Sequence, residues 1–423
     1  PCLIDSPSAI SNAQHAFVSD EERILYDDHL RAENQIPCLA NAGFEVGGPR
    51  AKIFFDPAQV RAGIVTCGGL CPGLNDVVRS LVLALWRNYG VRRIYGFQNG
   101  YQGLIRKFGH EVLHLEPDMV DGWQDLGGTK LGSSRGEQDP AECVDTLQRL
   151  GINVFFPIGG DGTMRGAQDI ADEIERRGLH IAVVGIPKTI DNDIMYIDES
   201  FGFQSAYEAA VDALQCAHVE AKGSLNGVGL VKLMGRHSGF IACQAALAMS
   251  DVNFVLIPEI PFTMDGPGGF LEALERRLHA RKHAVVVVAE GAGQDFIQGE
   301  TNRDKSGNVG LKDIGLFIKG RIDQHFASRK MECSVRYIDP SYTIRSVPAN
   351  AYDSVYCLQL GYDAVHAAMA GKTEMLVGKW HGRIVHVPIK LATQGRKQVD
   401  VEGPLWRMVR QSIGQEKWFA HLS

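Results

Sequence analysis

The sequence predicts an α/β protein with two doubly wound domains and an active-site cleft between them. Apolar runs of strand length alternate with amphipathic runs of helix length, and short Gly-rich loops join them, a pattern that predicts a parallel sheet with both faces covered. The alternation begins near residue 61 and starts again near residue 227, and 423 residues suffice for two or three domains. Ligands of such folds bind beyond the carboxyl ends of the strands, so polar residues there are the candidate site.

The first half of the alternation carries four predicted strands, at residues 62–66, 91–97, 152–158 and 181–186. Its predicted helices span residues 74–88 and a run that follows Thr163 and ends near Gly178. The second half adds strands at residues 227–233, 253–258 and 284–289, and helices at residues 238–250, 270–281, 314–327 and 351–370. A hairpin is predicted over residues 375–387, turning at His381 and Gly382. Residues 1–58 form a predicted N-terminal arm, with a helical pattern at residues 19–31, and residues 394–423 form a C-terminal extension.

Composition excludes several classes of function. The chain has 45% apolar and 22% charged residues and a net charge of −7, which argues against nucleic-acid binding. Nine cysteines scattered among apolar neighbours indicate reduced thiols rather than a disulfide framework. The apolar runs are too short to span a membrane, and no signal-peptide pattern opens the sequence. We therefore expect a cytoplasmic protein without membrane partners.

The segment PKTIDND at residues 187–193 is the strongest candidate for chemistry. A buried strand leads into it, and Pro187 should end that strand because proline cannot donate to a sheet. If the backbone stays extended, Asp191 and Asp193 project to the same side and face one ligand together. Their mutual repulsion then requires a positive partner, a metal ion or a shared proton. The alternative is a turn in which the Asp and Asn side chains bond their own backbone.

Two Gly-rich turns precede helices in the first half. GGLCPG at residues 68–73 lets the backbone approach a phosphate, although many α/β turns carry two glycines without a ligand. GGDGT at residues 159–163 places a carboxylate, Asp161, at a helix start, where it is a candidate Mg²⁺ ligand. The alternative for Asp161 is a helix cap. The same five residues occur in several unrelated kinases and therefore indicate phosphoryl transfer without naming the acceptor.

Further candidates are charged side chains. Arg135 ends a Gly-rich loop at residues 127–136 and can stabilise charge on a transferring phosphoryl group, or the loop is solvated surface. Arg236 in MGR, Glu290 in AEGAG and Arg345 in YTIR can bind a sugar phosphate, because arginine binds phosphate bidentately and carboxylates accept from hydroxyls. Individually, each of these residues is equally compatible with a structural ion pair.

Taken together and in this order, the motifs resemble the phosphofructokinase family, over residues 61–353. The chain looks most like the long ATP-dependent group of some bacteria and trypanosomatids, to which the segment EVGGPR at residues 45–50 and the insertion at residues 306–309 are also similar. The resemblance implies ATP-dependent phosphorylation of fructose 6-phosphate to fructose 1,6-bisphosphate with Mg²⁺, in a homo-oligomer, usually a tetramer or else a dimer. It implies a nucleotide-phosphate domain at residues 59–203, to which residues 346–393 return, and a sugar-phosphate domain at residues 204–345.

The resemblance also implies roles for individual residues. Asp191 matches the general base that takes the proton of the sugar 1-hydroxyl, and Asp193 matches a second carboxylate near the metal. Thr189 and Arg135 complete the catalytic set, and Asp161 matches the magnesium aspartate. The implied ATP-binding residues are Gly68, Arg135, Gly160, Asp161, Gly162, Thr163 and Lys188. The implied substrate-binding residues are Thr189, Asp191, Asp193, Met234, Gly235, Arg236, Glu290, Tyr342, Arg345 and Arg336, the last of which in the family reaches a neighbouring subunit.

The phosphoryl donor is ATP or pyrophosphate. Pyrophosphate enzymes of the family have lysine at the place of Lys188, but usually aspartate at the place of Gly162. An aspartate there would crowd and repel the α-phosphate of a nucleotide, so Gly162 favours ATP. Gly227 is a second departure, because the short bacterial enzymes carry an intersubunit arginine there. Competing hypotheses are a kinase for another sugar phosphate or a nucleotide cofactor, and a regulatory subunit without turnover, which the presence of Asp161 and Asp191 disfavours.

Overall fold

A computed structural model describes residues 2–8, 17–27, 43–299 and 310–415. The chain separates into two compact units. Unit 1 comprises Pro1–Thr189, Ile194–Gly202 and Pro348–Gly395, and unit 2 comprises Ile190–Asp193, Phe203–Val347 and Arg396–Ser423. The insertion predicted at residues 306–309 lies outside the described residues.

Unit 1 is organised around a sheet that has nine strands among the described residues. Their order across the sheet is β2 (Arg23–Leu25), β3 (Gly43–Val46), β15 (Arg383–Pro388), β14 (Met375–Trp380), β9 (Ala182–Pro187), β8 (Val154–Gly159), β5 (Arg61–Thr66), β6 (Arg93–Phe97) and β7 (Val112–His114). The five strands from β14 to β6 run parallel, whereas β7 on one side and β15, β3 and β2 on the other pair antiparallel. A small ladder joins β1 (Ile4–Asp5) to β4 (Lys52–Ile53).

The centre of this sheet is covered on both faces. Every residue of β8 and β9 is buried, as expected for parallel strands between helical layers. Among the described residues of unit 1, the α-helices are α1 (Leu74–Tyr89), α2 (Pro140–Leu150), α3 (Asp161–Arg176), α9 (Ala351–Met369) and α10 (Ile389–Ala392). Helix α1 packs on α9, and α2 packs on α3.

Unit 2 contains a parallel sheet whose described strands are ordered β11 (Phe254–Leu256), β12 (His283–Ala289), β10 (Gly227–Leu233) and β13 (Ser334–Ile338). The helices of unit 2 are α4 (Phe203–Lys222), α5 (Phe240–Ala248), α6 (Phe270–Arg281), α7 (Ile314–Ser328), α8 (Ser341–Ile344) and α11 (Pro404–Ile413). The α/β fold class is thus confirmed in each unit.

Close packing of α4 on β10 accounts for the glycine at position 227. A Cβ atom on Gly227 would overlap the carbonyl of Ala221, and one on Gly229 would lie 2.5 Å from the carbonyl oxygen of Ala217. No side chain fits at either position while the helix backbone lies this close. A side chain as large as that of arginine therefore has no room at position 227 in this chain.

Most predicted elements are confirmed, and two expectations are wrong. The first sheet is mixed rather than parallel. Strand β7 extends one edge, and β15, β3 and β2 extend the other, each antiparallel to its neighbour. The helical pattern at residues 19–31 instead contains β2, whose Arg23–Leu25 pairs with β3; residues 28–31 lie outside the described residues. Helices α2 and α4 and strand β13 were not anticipated. The predicted hairpin is present, with positive φ at His381 and Gly382 as its tight turn requires.

None of the described helices combines the length and hydropathy needed to cross a lipid bilayer. None of the cysteines within the described ranges forms a disulfide. Cys67 is fully buried beside the first Gly-rich turn, and burial raises the pKa of its thiol to about 12. This cysteine is therefore neutral at physiological pH.

Candidate active site

Three motif loops of unit 1 meet at one edge of its sheet. They follow β5, β8 and β9, which are adjacent parallel strands, so their carboxyl ends lie side by side. The loop after β9 contacts the loops after β5 and β8. The Lys188 ammonium donates a hydrogen bond to the Gly69 carbonyl at 2.6 Å, and the Lys188 amide donates to the Gly159 carbonyl at 2.9 Å.

The loop at residues 127–136 packs directly on the first Gly-rich turn. The Gly68 amide donates to the Ser134 carbonyl at 3.1 Å, and the Ser133 hydroxyl donates to the Gly68 carbonyl at 2.6 Å. Gly68 has a φ of 84°, which favours glycine. Arg135 is exposed and directly follows Ser134, so this loop carries it to the edge formed by the other motifs.

Asn75 holds the same loop and was missed as a candidate. It is buried in α1, where its side-chain amide donates to the Leu126 carbonyl and its side-chain oxygen accepts from the Lys130 amide, at 2.8 and 2.9 Å. The available clue was its place in the helix directly after the Gly-rich turn. Asn75 therefore fixes the start of the loop that ends at Arg135.

Asp161 begins helix α3 beside this edge. Gly160 occupies the N-cap position of the helix, so Asp161 is not the capping residue and the alternative proposed for it is wrong. Its carboxylate is 2.6 Å from the Arg165 guanidinium and retains an exposed fraction of 18%. Thr163, two residues later, is buried, and its carbonyl accepts a hydrogen bond from the Tyr101 hydroxyl.

The donor set fits magnesium bound together with a polyphosphate. Among the described residues, no group of three or more His, Cys, Asp or Glu side chains is arranged to hold a metal ion by itself. Mg²⁺ usually takes one or two carboxylates and completes its shell with phosphate oxygens and water. A single carboxylate at a helix N-terminus matches this pattern, because the helix dipole also favours the phosphate anion.

The Asp191 to Asp193 segment belongs to unit 2 and is not extended. Asn192 has a φ of 55°, which is the left-handed region, so the expectation that both carboxylates project to one side of an extended chain is wrong. Asp191 accepts from the Arg236 amide at 3.4 Å, and its backbone carbonyl accepts from the Ser238 hydroxyl at 2.9 Å. Asp193 is instead bound by Arg396, at 2.6 Å.

The environment of Asp191 suits a proton acceptor. Burial, reinforced by the negative charges of Asp193 and Glu290, raises the pKa of Asp191 to about 7, against the lowering effect of Arg236. A carboxylate with a pKa near neutrality can both accept and hold a proton at the working pH. The residue also keeps some solvent-accessible surface, so a ligand can reach it.

The predicted sugar-phosphate residues gather at the ends of β10 and β12. The Glu290 amide donates to the Leu233 carbonyl at 2.8 Å, and the Gly291 amide donates to the Gly235 carbonyl at 3.1 Å. These bonds join the turn that carries Met234, Gly235 and Arg236 to the turn that carries Glu290. Burial raises the pKa of Glu290, and the charge of Arg236 opposes this shift. The two side chains therefore interact electrostatically.

Two predicted residues follow the neighbouring strand β13. The Arg345 guanidinium carbon lies 4.7 Å from the centre of the Tyr342 ring, and Tyr342 has an exposed fraction of 76%. Arg336 lies within β13 and not beyond its end. Its half-exposed side chain faces Glu220, at 3.4 Å. Arg336 therefore lies apart from the residues at the strand ends.

Comparison with known proteins agrees with the motif set. A profile of the phosphofructokinase family matches residues 61–368. An ATP-dependent 6-phosphofructokinase of Borreliella burgdorferi is 52% identical over 412 residues, which cover 96% of this chain and 92% of the relative. One of Trypanosoma brucei brucei is 44% identical over 416 residues, which cover 96% and 84%.

Solved structures agree at the level of the fold. A pyrophosphate-dependent phosphofructokinase from Marinobacter aquaeolei matches 86% of this chain and 92% of its own length, with a TM-score of 0.69 and 21% sequence identity. At this identity the likeness concerns the fold alone. The resemblance inferred from the motifs is confirmed, and the chain belongs to the phosphofructokinase family.

Proposed function

We propose that this chain is an ATP-dependent 6-phosphofructokinase. It transfers the γ-phosphoryl group of ATP to the 1-hydroxyl of fructose 6-phosphate and releases fructose 1,6-bisphosphate. The observation that carries the proposal is Asp191: its surroundings raise the pKa of its carboxyl to about 7, its carboxylate accepts from the Arg236 amide, and its backbone carbonyl accepts from the Ser238 hydroxyl. Relatives named for this activity that match almost the full length of the chain support the same conclusion.

Unit 1 binds ATP. The polyphosphate lies against the turns that contain Gly68 and residues 160–163, where backbone amides and the N-terminus of α3 favour an anion. Lys188 and Arg135 add positive charge. Asp161 would hold Mg²⁺, which when bound spreads the negative charge of the phosphates.

Unit 2 binds fructose 6-phosphate. Arg236, Arg345 and the exposed Tyr342 supply cation and hydroxyl contacts for the sugar phosphate, and Glu290 accepts from a sugar hydroxyl. Asp191 removes the proton of the 1-hydroxyl as the oxygen attacks, Thr189 positions the reacting groups, and Asp193 supports them. Little covalent chemistry falls to the protein, whose contribution is orientation and charge.

Gly162 supports ATP over pyrophosphate as donor. An added Cβ at this position meets no atom within 4 Å, so the space beside the helix start is open to a nucleotide phosphate. Pyrophosphate remains the alternative donor, suggested by Lys188. The amide and ammonium of Lys188 both contact neighbouring turns, which gives the lysine a structural task independent of donor choice.

The proposal extends to assembly and location. A homo-oligomer, a tetramer or a dimer, in the cytoplasm fits the resemblance, with the half-exposed Arg336 available to a neighbouring subunit. Residues 59–203 and 346–393 form the nucleotide domain and residues 204–345 the sugar-phosphate domain.

An acceptor panel tests the activity. ATP turnover is measured with fructose 6-phosphate, with other phosphorylated sugars and with NAD. We expect fructose 6-phosphate to have the highest kcat/KM. A higher kcat/KM for another acceptor would replace the proposed function by a different kinase activity.

A further inference from the structure

A short segment of the C-terminal extension, for which the motifs assign no role, contacts two motifs of unit 2. We call residues 396–399 the strap. The Arg396 guanidinium binds the Asp193 carboxylate at 2.6 Å, and the Lys397 amide donates to the Asp193 carbonyl at 2.9 Å. The Lys397 ammonium donates to the Asn192 side-chain oxygen at 3.2 Å. Both the backbone and the side chains of the acidic loop are therefore bound.

The other end of the strap binds the segment that follows Arg236. The Gln398 side chain donates to the His237 carbonyl at 3.0 Å, and the Val399 amide donates to Glu259 at 2.9 Å. The same Glu259 oxygen accepts from the Gly239 amide at the start of helix α5. The strap thus connects the loop of Asp191 to the segment that directly follows Arg236, whose amide donates to the Asp191 carboxylate.

We propose that the strap positions the Asp191 carboxylate for phosphoryl transfer, with Arg396 as the main positioning residue. This inference rests on the proposed function. It assigns Arg396 and Lys397 to the catalytic apparatus although they lie outside every motif of the sequence. Neither residue removes the proton; both act through the loop that carries the base.

The loop requires such support for two reasons. Asn192 adopts a left-handed backbone conformation. A residue with a side chain pays free energy for this conformation and keeps it only when its surroundings enforce it. Asp193 has a side-chain exposure of only 6%, and a buried carboxylate without a cation would repel Asp191 and reorganise. Arg396 supplies the cation, and Lys397 holds the loop at two points, the Asn192 side chain through its ammonium and the Asp193 carbonyl through its amide.

Ion pairs between arginine and carboxylate are directional, so their loss should misplace the loop rather than unfold the unit. A displacement of about 1 Å at a reacting group can lower a rate by about 10²-fold. We therefore expect the loss of Arg396 to act on kcat, while the residues that bind the sugar phosphate keep their affinity.

The test uses two Arg396 variants in the full chain and one matched control. Arg396→Gln removes the charge, and Arg396→Lys keeps it with poorer geometry. Arg321→Gln is the control, because Arg321 forms an ion pair with Asp265 on an exposed surface of the same unit, 2.7 Å from one carboxylate oxygen. Each protein is assayed for kcat, for KM of fructose 6-phosphate and for melting temperature.

We expect Arg396→Gln to lower kcat by about 10-fold to 100-fold with KM changed less than about threefold, and Arg396→Lys to recover part of the loss. Arg321→Gln should match the parent chain. A kcat of Arg396→Gln equal to that of Arg321→Gln overturns the inference, as does a loss of kcat that appears only together with a collapse of melting temperature. If the parent chain itself does not phosphorylate fructose 6-phosphate, the proposed function fails, and that result is separate from the comparison of variants.

Discussion

The Lys188 ammonium lies 2.6 Å from the Gly69 carbonyl oxygen, and so joins two motifs that are 119 residues apart in the sequence. Lys188 is almost fully buried, with an exposed fraction of 5%. The lysine therefore holds the first Gly-rich turn in place.

Lys188→Met should therefore weaken ATP binding without creating a pyrophosphate enzyme. Loss of the ammonium leaves the Gly69 carbonyl unsatisfied and removes a positive charge, and each such effect costs about 1–3 kcal/mol. We expect KM for ATP to rise about 10-fold or more, with no new turnover from pyrophosphate. Steady-state kinetics with both donors measures this, and an unaltered KM for ATP would contradict the assigned role.

Gly162→Asp should also raise KM for ATP. The position is exposed and has open space around it, so the fold accepts the side chain, while the added charge repels the nucleotide phosphates. Gly320→Asp is the control, because Gly320 lies on α7 of unit 2 and has equally open surroundings. Equal KM values for ATP in the two variants would remove the steric and electrostatic basis for ATP as donor.

Asp191→Asn should lower kcat by about 10²-fold or more, because a general base contributes about 10²–10⁴-fold. The amide keeps the shape of the side chain but cannot take the proton. The rate is measured at saturating ATP and fructose 6-phosphate. A near-normal kcat would mean that another group is the base.

The raised pKa of Asp191 predicts the pH dependence of catalysis. The base acts only when it is ionised, so kcat/KM for fructose 6-phosphate should rise with pH and level off above about 7. A pH profile between 5.5 and 8.5 measures the effect. A kcat/KM that is already constant below pH 6 would contradict the assignment.

The raised pKa of Asp191 also predicts that the free energy of unfolding falls as pH rises, whereas kcat/KM increases. The folded state binds the Asp191 proton more tightly than the unfolded chain, so this group's contribution to stability is complete below pH ~4 and is lost as pH rises through about 7. Each unit of pKa shift corresponds to about 1.4 kcal/mol. Without ligands, Asp191→Asn should thus become more stable than the parent chain as pH increases. Denaturant unfolding at pH 5 and pH 8 measures this, and an equal difference at both pH values would refute it.

Local pattern was sufficient for much of the fold. The apolar runs at residues 182–187 and 283–289 and the turn at His381 and Gly382 each carry their own periodicity or turn chemistry. The strands at the sheet edge were not predictable in this way. Arg23–Leu25 has only 3 residues, too few to show a strand period, and its strand conformation depends on pairing with β3, which is a tertiary effect.

The residues of the candidate site also fall into two groups, those that the local sequence marks and those that it does not. Glycines and carboxylates at the strand ends mark Asp161, Asp191 and Glu290 directly in the sequence. Asn75 and Arg396 carry no such mark, because their roles come from hydrogen bonds to chain segments 51 and 203 residues away. Spacing within one motif cannot reveal contacts of this range.

The donor comparison tests the central claim most directly. The parent chain is mixed with fructose 6-phosphate and Mg²⁺ and either ATP or pyrophosphate, and the formation of fructose 1,6-bisphosphate is followed. The structure and its relatives predict turnover with ATP and none with pyrophosphate. Turnover with pyrophosphate alone would contradict the account.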